Sequence, residues 1–222
     1  MFQKNVKGDK EDRTDRRIRR TRSALRKALV DLIREKGYDA ISVEEITQTA
    51  NLGRATFYLH YKDKDDLLLE EFNERVIDQT RLISQVPLAI WGMDRKIDIN
   101  NIDRSTLPMS MIFKHAAENA DFYRVVLRGA SSKRVANRIK EVIIQSYYEV
   151  FEKKFPGFPE QKKGNIKVVE LMAVYFSGVL ITCIDWWLNQ DPMPPADEIS
   201  KIFQDMYVMG ILRFITDIRQ EK

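Results

Sequence analysis

The stretch SVEEITQTANLGRATFYLHYKDK, residues Ser42–Lys64, predicts two short helices that are joined by a tight turn. Ser42 and Glu45 have the spacing of a capping box, which predicts that the first helix begins directly after Ser42. The turn falls at Asn51 and Gly53, because both residues tolerate the left-handed backbone of a sharp reversal. The second helix is too short to be stable alone, so neighbouring helices must hold it while it presents its outer face.

This arrangement is that of a helix-turn-helix, in which the second helix enters the major groove of DNA. Charge is distributed unevenly around it. Residues 1–36 carry 13 Lys and Arg against 6 Asp and Glu, whereas residues 37–80 carry 4 against 10. A basic segment beside such a motif is the electrostatic footprint of a phosphate-binding protein. For residues 1–12 alone, a solvated flexible tail is the simpler interpretation.

A set of positions between Ile18 and Leu69 also has the residues and spacing of a known family. The set comprises Ala28, Gly37, Tyr38, Ser42, Val43, Ile46, Ala50, Leu52, Arg54 to Tyr58, His60, Tyr61, Lys62, Lys64, Leu67 and Leu68. With these residues the chain resembles the TetR-family transcriptional regulators of the TetR/AcrR type. Two positions differ: Asn51 stands where the family usually has glycine, and Gly53 where a serine usually caps the recognition helix. Glycine as a cap costs only a few tenths of a kcal/mol relative to serine.

The resemblance implies an all-α fold, with an N-terminal three-helix helix-turn-helix DNA-binding head on a larger helical ligand-binding and dimerisation body. Only 9 Gly and 7 Pro in 222 residues favour the same class. We predict a flexible basic tail over residues 1–12, the DNA-binding domain over 13–64 and the regulatory and dimerisation domain over 65–222. A helix over 64–84 links the two domains. The body is predicted to contain helices at about 107–119, 120–128, 131–154, 165–189 and 196–219, with an irregular connection at 88–105.

Several residues have side chains suited to contact DNA, and they fall at positions where the family contacts DNA. Arg54 opens the recognition helix, where a guanidinium can pair with guanine O6 and N7 or with a phosphate. Thr56 can meet a base edge, and Tyr58 and His60 can donate hydrogen bonds to phosphate. Lys64 adds a charge and a helix N-terminus near phosphate. Further candidates for phosphate contact are Thr21, Arg22, Ser42 and Thr47. The alternative is a solvated surface for Arg54 and Lys64 and core-edge packing for Tyr58 and His60.

Beyond Pro87 the resemblance rests on Phe122-Tyr123, on Asp185–Leu188 and on the proline-containing break before the last helix. It implies a homodimer through helices 165–189 and 196–219, and a pocket for a small apolar or aromatic effector. The candidate ligand-binding residues are Met109, Phe113, His115, Phe122, Tyr123, Tyr147, Phe151, Tyr175, Phe176 and Trp186. The alternative is that these side chains are ordinary core residues.

Other classes of protein find little support in the sequence. The one cysteine, Cys183, excludes internal disulfides, and the two histidines lie far apart, so no metal ligands and no cofactors are predicted. No glycine-rich phosphate loop or nucleophile–base pair is present, which indicates no catalytic residues and no enzyme. The charged N-terminus lacks the apolar core of a signal peptide.

The longest uncharged run, Leu171–Ile184, has 14 residues and is too short to span a bilayer comfortably. We therefore expect a cytoplasmic protein. The expected function is that of a ligand-responsive repressor that binds a palindromic double-stranded DNA operator as a homodimer. The alternative is a TetR-like protein-binding coactivator that no longer binds DNA, which the departures at Asn51 and Gly53 allow.

Overall fold

The computed structural model describes residues 5–86, 108–127, 133–154, 162–163 and 166–206 of the chain. The all-α prediction is confirmed, since the β structure in these ranges is one antiparallel pair of two-residue strands. The elements are α1 (Asn5–Lys36), α2 (Val43–Thr49), α3 (Arg54–Tyr58), α4 (Lys64–Gln85), α5 (Pro108–Glu118), α6 (Ala120–Leu127), α7 (Lys133–Lys154), β1 (Lys162–Lys163), β2 (Ile166–Lys167), α8 (Val168–Leu188) and α9 (residues 196–206).

The first helix begins earlier than predicted. It starts at Asn5, so residues 5–12 are helical, while the flexibility of the segment 1–12 stays a prediction. Residues 1–12 as a whole are not basic, because they contain as many acidic residues as lysines. The sequence places opposite charges four residues apart and contains no proline, which is compatible with a helix.

Local signals fix the head as predicted. The capping box at Ser42 and Glu45 is confirmed: the Ser42 Oγ accepts from the Glu45 N–H, and the Glu45 side chain accepts from the Ser42 N–H. Gly37 ends α1 with a φ of 75°, a left-handed conformation that favours glycine. At the turn, Asn51 alone takes that conformation, with a φ of 53°. Gly53 has an extended backbone instead, with a φ of −80° and a ψ of 150°, and caps α3 without a side-chain hydrogen bond.

The helix α4 joins the head to the body. In the head, α1 packs against α2 and α4, and α2 packs against α3. In the body, α4 packs along α7, which in turn packs on α8. The buried residues form one continuous apolar core through both regions, from Leu29 and Phe57 in the head to Trp187 in the body. A displacement of α4 therefore affects the packing of both regions.

The helix order of the body follows the prediction over the described residues. The observed α5, α6, α7 and α8 begin and end within a few residues of the predicted limits. The short strand pair β1–β2 precedes α8, where the sequence indicated only a break and the start of a helix. The predicted irregular connection at 88–105 and the part of the last helix beyond residue 206 lie outside the described residues.

By length and composition, α8 could cross a bilayer, contrary to the expectation from the uncharged run alone. Its most apolar 18-residue window has a mean hydropathy of 1.8, and 44% of that window is buried inside the protein. The core helix of a soluble protein meets the same criterion. Its buried face includes Met172, Phe176, Leu180 and Trp187, which pack into the body core.

Candidate nucleic-acid interface and ligand cavity

One buried ring anchors the recognition helix α3. The Phe57 side chain is fully buried and packs against Tyr61, with ring centroids 5.6 Å apart. On the opposite side, Arg54 is 61% exposed and lies 3.8 Å from the Glu44 carboxylate. Tyr58 is exposed as well, with its ring edge against Phe57. The five residues of α3 are thus held from one side and presented to solvent on the other.

The residue that follows α3, Leu59, is also exposed and was not among the predicted DNA contacts. Leu59 is 81% exposed beside Tyr58, although leucine is usually buried. An apolar side chain at this place can contact a thymine methyl group in a major groove. The signal was available, because Phe57 alone is enough to anchor a helix this short. Thr56 and His60 are half-buried at the edges of the same face.

The structure does not favour the predicted phosphate contact through the Thr47 side chain. Thr47 is only 2% exposed, and its hydroxyl donates to the Glu44 carbonyl oxygen at 2.8 Å. Ser42 is exposed, but its hydroxyl is engaged with Glu45 in the capping box. Thr21 is half-buried on α1. Of the four further phosphate candidates, Thr47 is therefore not accessible in this structure, and Ser42 already has a partner.

The Lys64 ammonium is turned toward the protein. It donates to the carbonyl oxygens of Tyr38 at 3.0 Å and Ile41 at 2.9 Å, with Asp39 farther off at 3.4 Å. It also lies 4.5 Å from the centroid of the Tyr38 ring, a cation–π distance. Lys64 thereby fastens the first residue of α4 to the segment between α1 and α2, and a phosphate would have to compete with these acceptors.

Arg22 is likewise paired within the protein. Its Nε lies 3.0 and 3.1 Å from the two carboxylate oxygens of Glu70, and the Nη2 contacts the same group. The hydrogen bonds that Arg22 donates to Glu70 raise the pKa of Arg22. Burial alone would raise the pKa of Glu70, but the hydrogen bonds from Arg22 hold it below its usual value. Because Arg22 remains partly exposed, it can still approach a phosphate from its outer side.

Polar side chains continue along α4 from this pair toward the body. Arg26 on α1 contacts Glu70 at 2.9 Å and Glu71 at 3.3 Å. Arg75 contacts Glu71 at 2.7 Å and donates to the Asn119 side chain at 2.6 Å. We call this series, formed by Arg22, Glu70, Arg26, Glu71, Arg75 and Asn119, the α1–α4 ion-pair chain. It connects the head to the junction of α5 and α6.

A cavity of about 150 Å³ lies in the body, at the end of the α1–α4 ion-pair chain. Helices α4, α5, α6, α7, α8 and α9 all contribute to its wall, which is almost entirely apolar. Of the predicted ligand-binding residues, those on the wall are Met109, His115, Tyr123, Tyr147, Phe151 and Phe176. The stacked rings of Tyr147 and Phe151 and the tilted contact of Tyr147 with Phe176 line one region of it.

The other predicted ligand-binding residues do not line this cavity. Phe113 is fully buried between Trp187 and Phe203, and Phe122 is buried beneath the Arg75 guanidinium. Tyr175 and Trp186 are exposed on the outer surface of α8. The resemblance implies a pocket in the body, but the sequence alone does not distinguish a side chain of the cavity wall from one in the core or on the surface.

The prediction also omitted the contribution of α4. This helix places a stripe on the wall at helical spacing, consisting of Phe72, Val76, Gln79, Thr80 and Ile83. The helical spacing of these residues is visible in the sequence, but spacing alone does not show that they border a cavity. The helix that joins head and body is therefore itself part of the cavity wall.

Comparison with known proteins relates both parts of the chain to regulators. Residues 25–70 match the family model "Bacterial regulatory proteins, tetR family", and residues 108–208 match "Transcriptional regulator C-terminal region". An uncharacterised HTH-type transcriptional regulator of Bacillus subtilis, YxbF, is 48% identical over 71 residues. That match covers 31% of this chain, and the chain spans only 19% of the length of that relative.

Solved structures share the fold at low identity. FadR of Thermus thermophilus, a TetR-family repressor solved with lauroyl-CoA, has a TM-score of 0.59 at 14% identity. The alignment covers 85% of this chain and 93% of that one. FadR of Bacillus subtilis, solved with stearoyl-CoA, has a TM-score of 0.54 at 20% identity, with 85% and 98% covered. Identity at this level is evidence of the common fold alone.

Proposed function

The chain belongs to the TetR family of transcriptional regulators, and we propose that it is a ligand-responsive repressor that binds a palindromic DNA operator as a homodimer. The observation that carries the proposal is the outward presentation of Arg54, Tyr58 and Leu59 on a helix anchored by the buried Phe57. This face combines a guanidinium, a phenol and an apolar group, which match guanine, phosphate and the thymine methyl group. Four exposed arginines farther along α1 add positive charge to the head: Arg16, Arg17, Arg19 and Arg20.

The test is selection of bound sequences from a randomised duplex library, followed by titration of the selected duplex and a scrambled one at several salt concentrations. We expect specific binding and a palindromic consensus. If Arg54 reads guanine, Arg54→Ala should lower the ratio of specific to non-specific affinity by a factor that corresponds to about 1–3 kcal/mol of binding free energy. Lys140→Ala, which removes one exposed charge from α7, should leave the ratio unchanged.

Failure to bind any duplex even at low salt would overturn this proposal. It would favour instead the protein-binding coactivator that has lost DNA binding.

The homodimer is supported by an exposed apolar stripe on α8. Leu171, Val174, Tyr175 and Trp186 recur at helical spacing on the face turned away from the core. On α9, Ile202 and Met206 are exposed in the same way. Large apolar patches on soluble proteins mark interaction sites. A second copy that places the same stripe against this one would bury both, in the isologous contact of a two-fold dimer.

Response to a ligand is supported by the position of α4. It forms one side of the cavity and also holds the head through the α1–α4 ion-pair chain. Two recognition helices can occupy one operator only if their separation matches one turn of DNA, about 34–36 Å. A ligand that binds better when α4 is displaced would change that separation and lower operator affinity. The FadR neighbours, solved with lauroyl-CoA and stearoyl-CoA, are examples of this fold with a ligand that contains a long acyl chain.

A further inference from the structure

The cavity wall contains no charged group among the described residues that line it. Asp, Glu, Lys and Arg are absent from this part of the wall, and most of it is aliphatic or aromatic. An ion transferred from water into such surroundings loses its hydration without gaining a counter-charge. The cavity therefore discriminates against ligands that would bury an ionised group within it.

One polar atom on the wall is left without a partner. In the described part of the chain, His115 Nε2 is buried and makes no hydrogen bond. The backbone carbonyl of His115 accepts from the Asn119 side chain at 2.9 Å, and the imidazole meets the edge of the Tyr123 ring with centroids 5.7 Å apart. The backbone and ring are thus held in place, while Nε2 remains available to a guest.

Three other polar side chains of the wall, Ser146, Gln79 and Thr80, are less suited to this task. The Ser146 hydroxyl already donates to the Val142 carbonyl oxygen at 2.9 Å. Gln79 and Thr80 are half-buried, so they keep some access to water. Burial lowers the pKa of His115, and the charge of Arg75 lowers it further. The imidazole is consequently neutral near pH 7 and does not supply a counter-charge for an anion.

From this geometry we infer that the cavity binds a compact, uncharged, largely apolar ligand, about one aromatic ring in size, whose hydroxyl group hydrogen-bonds to His115 Nε2. A hydroxyl can donate or accept, so it satisfies either tautomer of the neutral ring. The size follows from the cavity volume of about 150 Å³, at which apolar protein cavities accept a benzene-sized guest. The inference rests on the proposed function, because it names the class of effector.

The experiment is calorimetric titration of the full chain at pH 7.5 with 4-methylphenol, toluene and 4-methylbenzoate. These probes share a ring and differ in one group. We expect 4-methylphenol to bind about tenfold more tightly than toluene, since its hydroxyl pairs a buried polar atom that toluene leaves unpaired. The charged 4-methylbenzoate should show no saturable binding. The His115→Leu variant should bind 4-methylphenol no better than toluene, whereas Lys140→Ala, at an exposed position outside the cavity, should retain the preference.

A second measurement does not depend on whether the His115→Leu variant folds. The chain has only two histidines, so ¹⁵N spectra of the imidazole nitrogens can be assigned with a His60→Gln variant. Addition of 4-methylphenol should move the Nε2 resonance of His115, and addition of toluene should leave it nearly in place. Equal binding of 4-methylbenzoate, an unchanged preference in His115→Leu, or a stationary Nε2 resonance would each overturn the inference.

Failure of this inference can be separated from failure of the proposed function by titrating operator DNA in the presence of each compound. If 4-methylphenol binds with the expected selectivity but leaves operator affinity unchanged, the ligand class is correct and the ligand-responsive part of the function is rejected. If none of the three probes binds while a long-chain compound releases the operator, the ligand class is rejected and the function is retained.

Discussion

Lys64 donates a hydrogen bond to the Tyr38 carbonyl oxygen at 3.0 Å while its ammonium lies 4.5 Å from the centroid of the same residue's ring. Lys64→Met keeps much of the side-chain stem but removes these interactions. We expect the free energy of unfolding to fall by about 1–3 kcal/mol, because carbonyl acceptors lose a charged donor. Urea denaturation measures this change, and Lys62→Met, at an exposed position, should alter stability by less than about 0.5 kcal/mol.

The same variant tests the predicted phosphate contact of Lys64. Since the ammonium is held by backbone carbonyl oxygens, we expect the salt dependence of DNA affinity to be unchanged in Lys64→Met. A decrease of about one unit in the slope of log affinity against log salt would instead identify Lys64 as a phosphate contact.

Gly53→Ser should stabilise the protein. The position has an ordinary extended backbone, and an added Cβ would meet no atom within 4 Å. A serine oxygen there can accept from a backbone N–H in the first turn of α3, which adds roughly a few tenths of a kcal/mol over glycine. Thermal denaturation should show a small rise in Tm.

Gly37→Ser is the matched control for that substitution. An added Cβ has equal room at Gly37, but the φ of 75° makes the position unfavourable for serine. We expect a loss of about 1 kcal/mol or more. Similar effects of the two substitutions would show that backbone conformation does not decide the outcome at these positions.

Glu70→Gln should lower the free energy of unfolding at neutral pH and should lower it by less in acid. The pKa of Glu70 in the folded chain lies below its usual value of 4.5, so its ionised form contributes stability above that pH and loses it as the pH falls. The neutral amide of the variant would leave Arg22 and Arg26 without their shared carboxylate, at a cost of about 1–3 kcal/mol at pH 7.

Urea denaturation of both proteins between pH 7 and pH 3 measures this difference. The difference in free energy of unfolding between wild type and variant should decrease as the pH falls below about 4.5. Glu74→Gln is the control, because Glu74 is about half exposed and lies 3.8 Å from Arg26. A difference that stays constant with pH would mean that the effect is not electrostatic.

Tyr175→Glu should yield a folded monomer. Tyr175 is 59% exposed in the middle of the α8 stripe, so a charge there is harmless in one chain but costly when buried between two. Light scattering gives the mass, and circular dichroism reports the helix content. Lys140→Glu, on an exposed position of α7, should remain a dimer. A wild-type monomer at micromolar concentration would contradict the dimer outright.

The sequence predicted the parts of the fold that depend on local signals. The capping box at Ser42 and the left-handed Asn51 each involve residues within one turn of helix, so the local sequence alone identifies them. The order of the body helices followed from apolar periodicity interrupted by proline and glycine. These features require no knowledge of which helix packs on which.

The site was less predictable because its residues are defined by their neighbours. Lys64 and Arg22 have the chemistry of phosphate contacts, but their acceptors lie 23 or more residues away in sequence. Thr47 is polar and yet buried, since its hydroxyl is satisfied within its own helix. The apolar stripe of α4 became a cavity wall only because α5, α7 and α8 leave space beside it.

The dual position of α4, in the cavity wall and against α1, makes effector and operator thermodynamically reciprocal. If the effector lowers operator affinity by some factor, the operator must lower effector affinity by that same factor. An effector dissociation constant measured on the free protein would then overstate the sensitivity of the DNA-bound form. The threshold concentration at which a repressed promoter opens would depend on the DNA-bound form, and so on the operator as well as on the cavity.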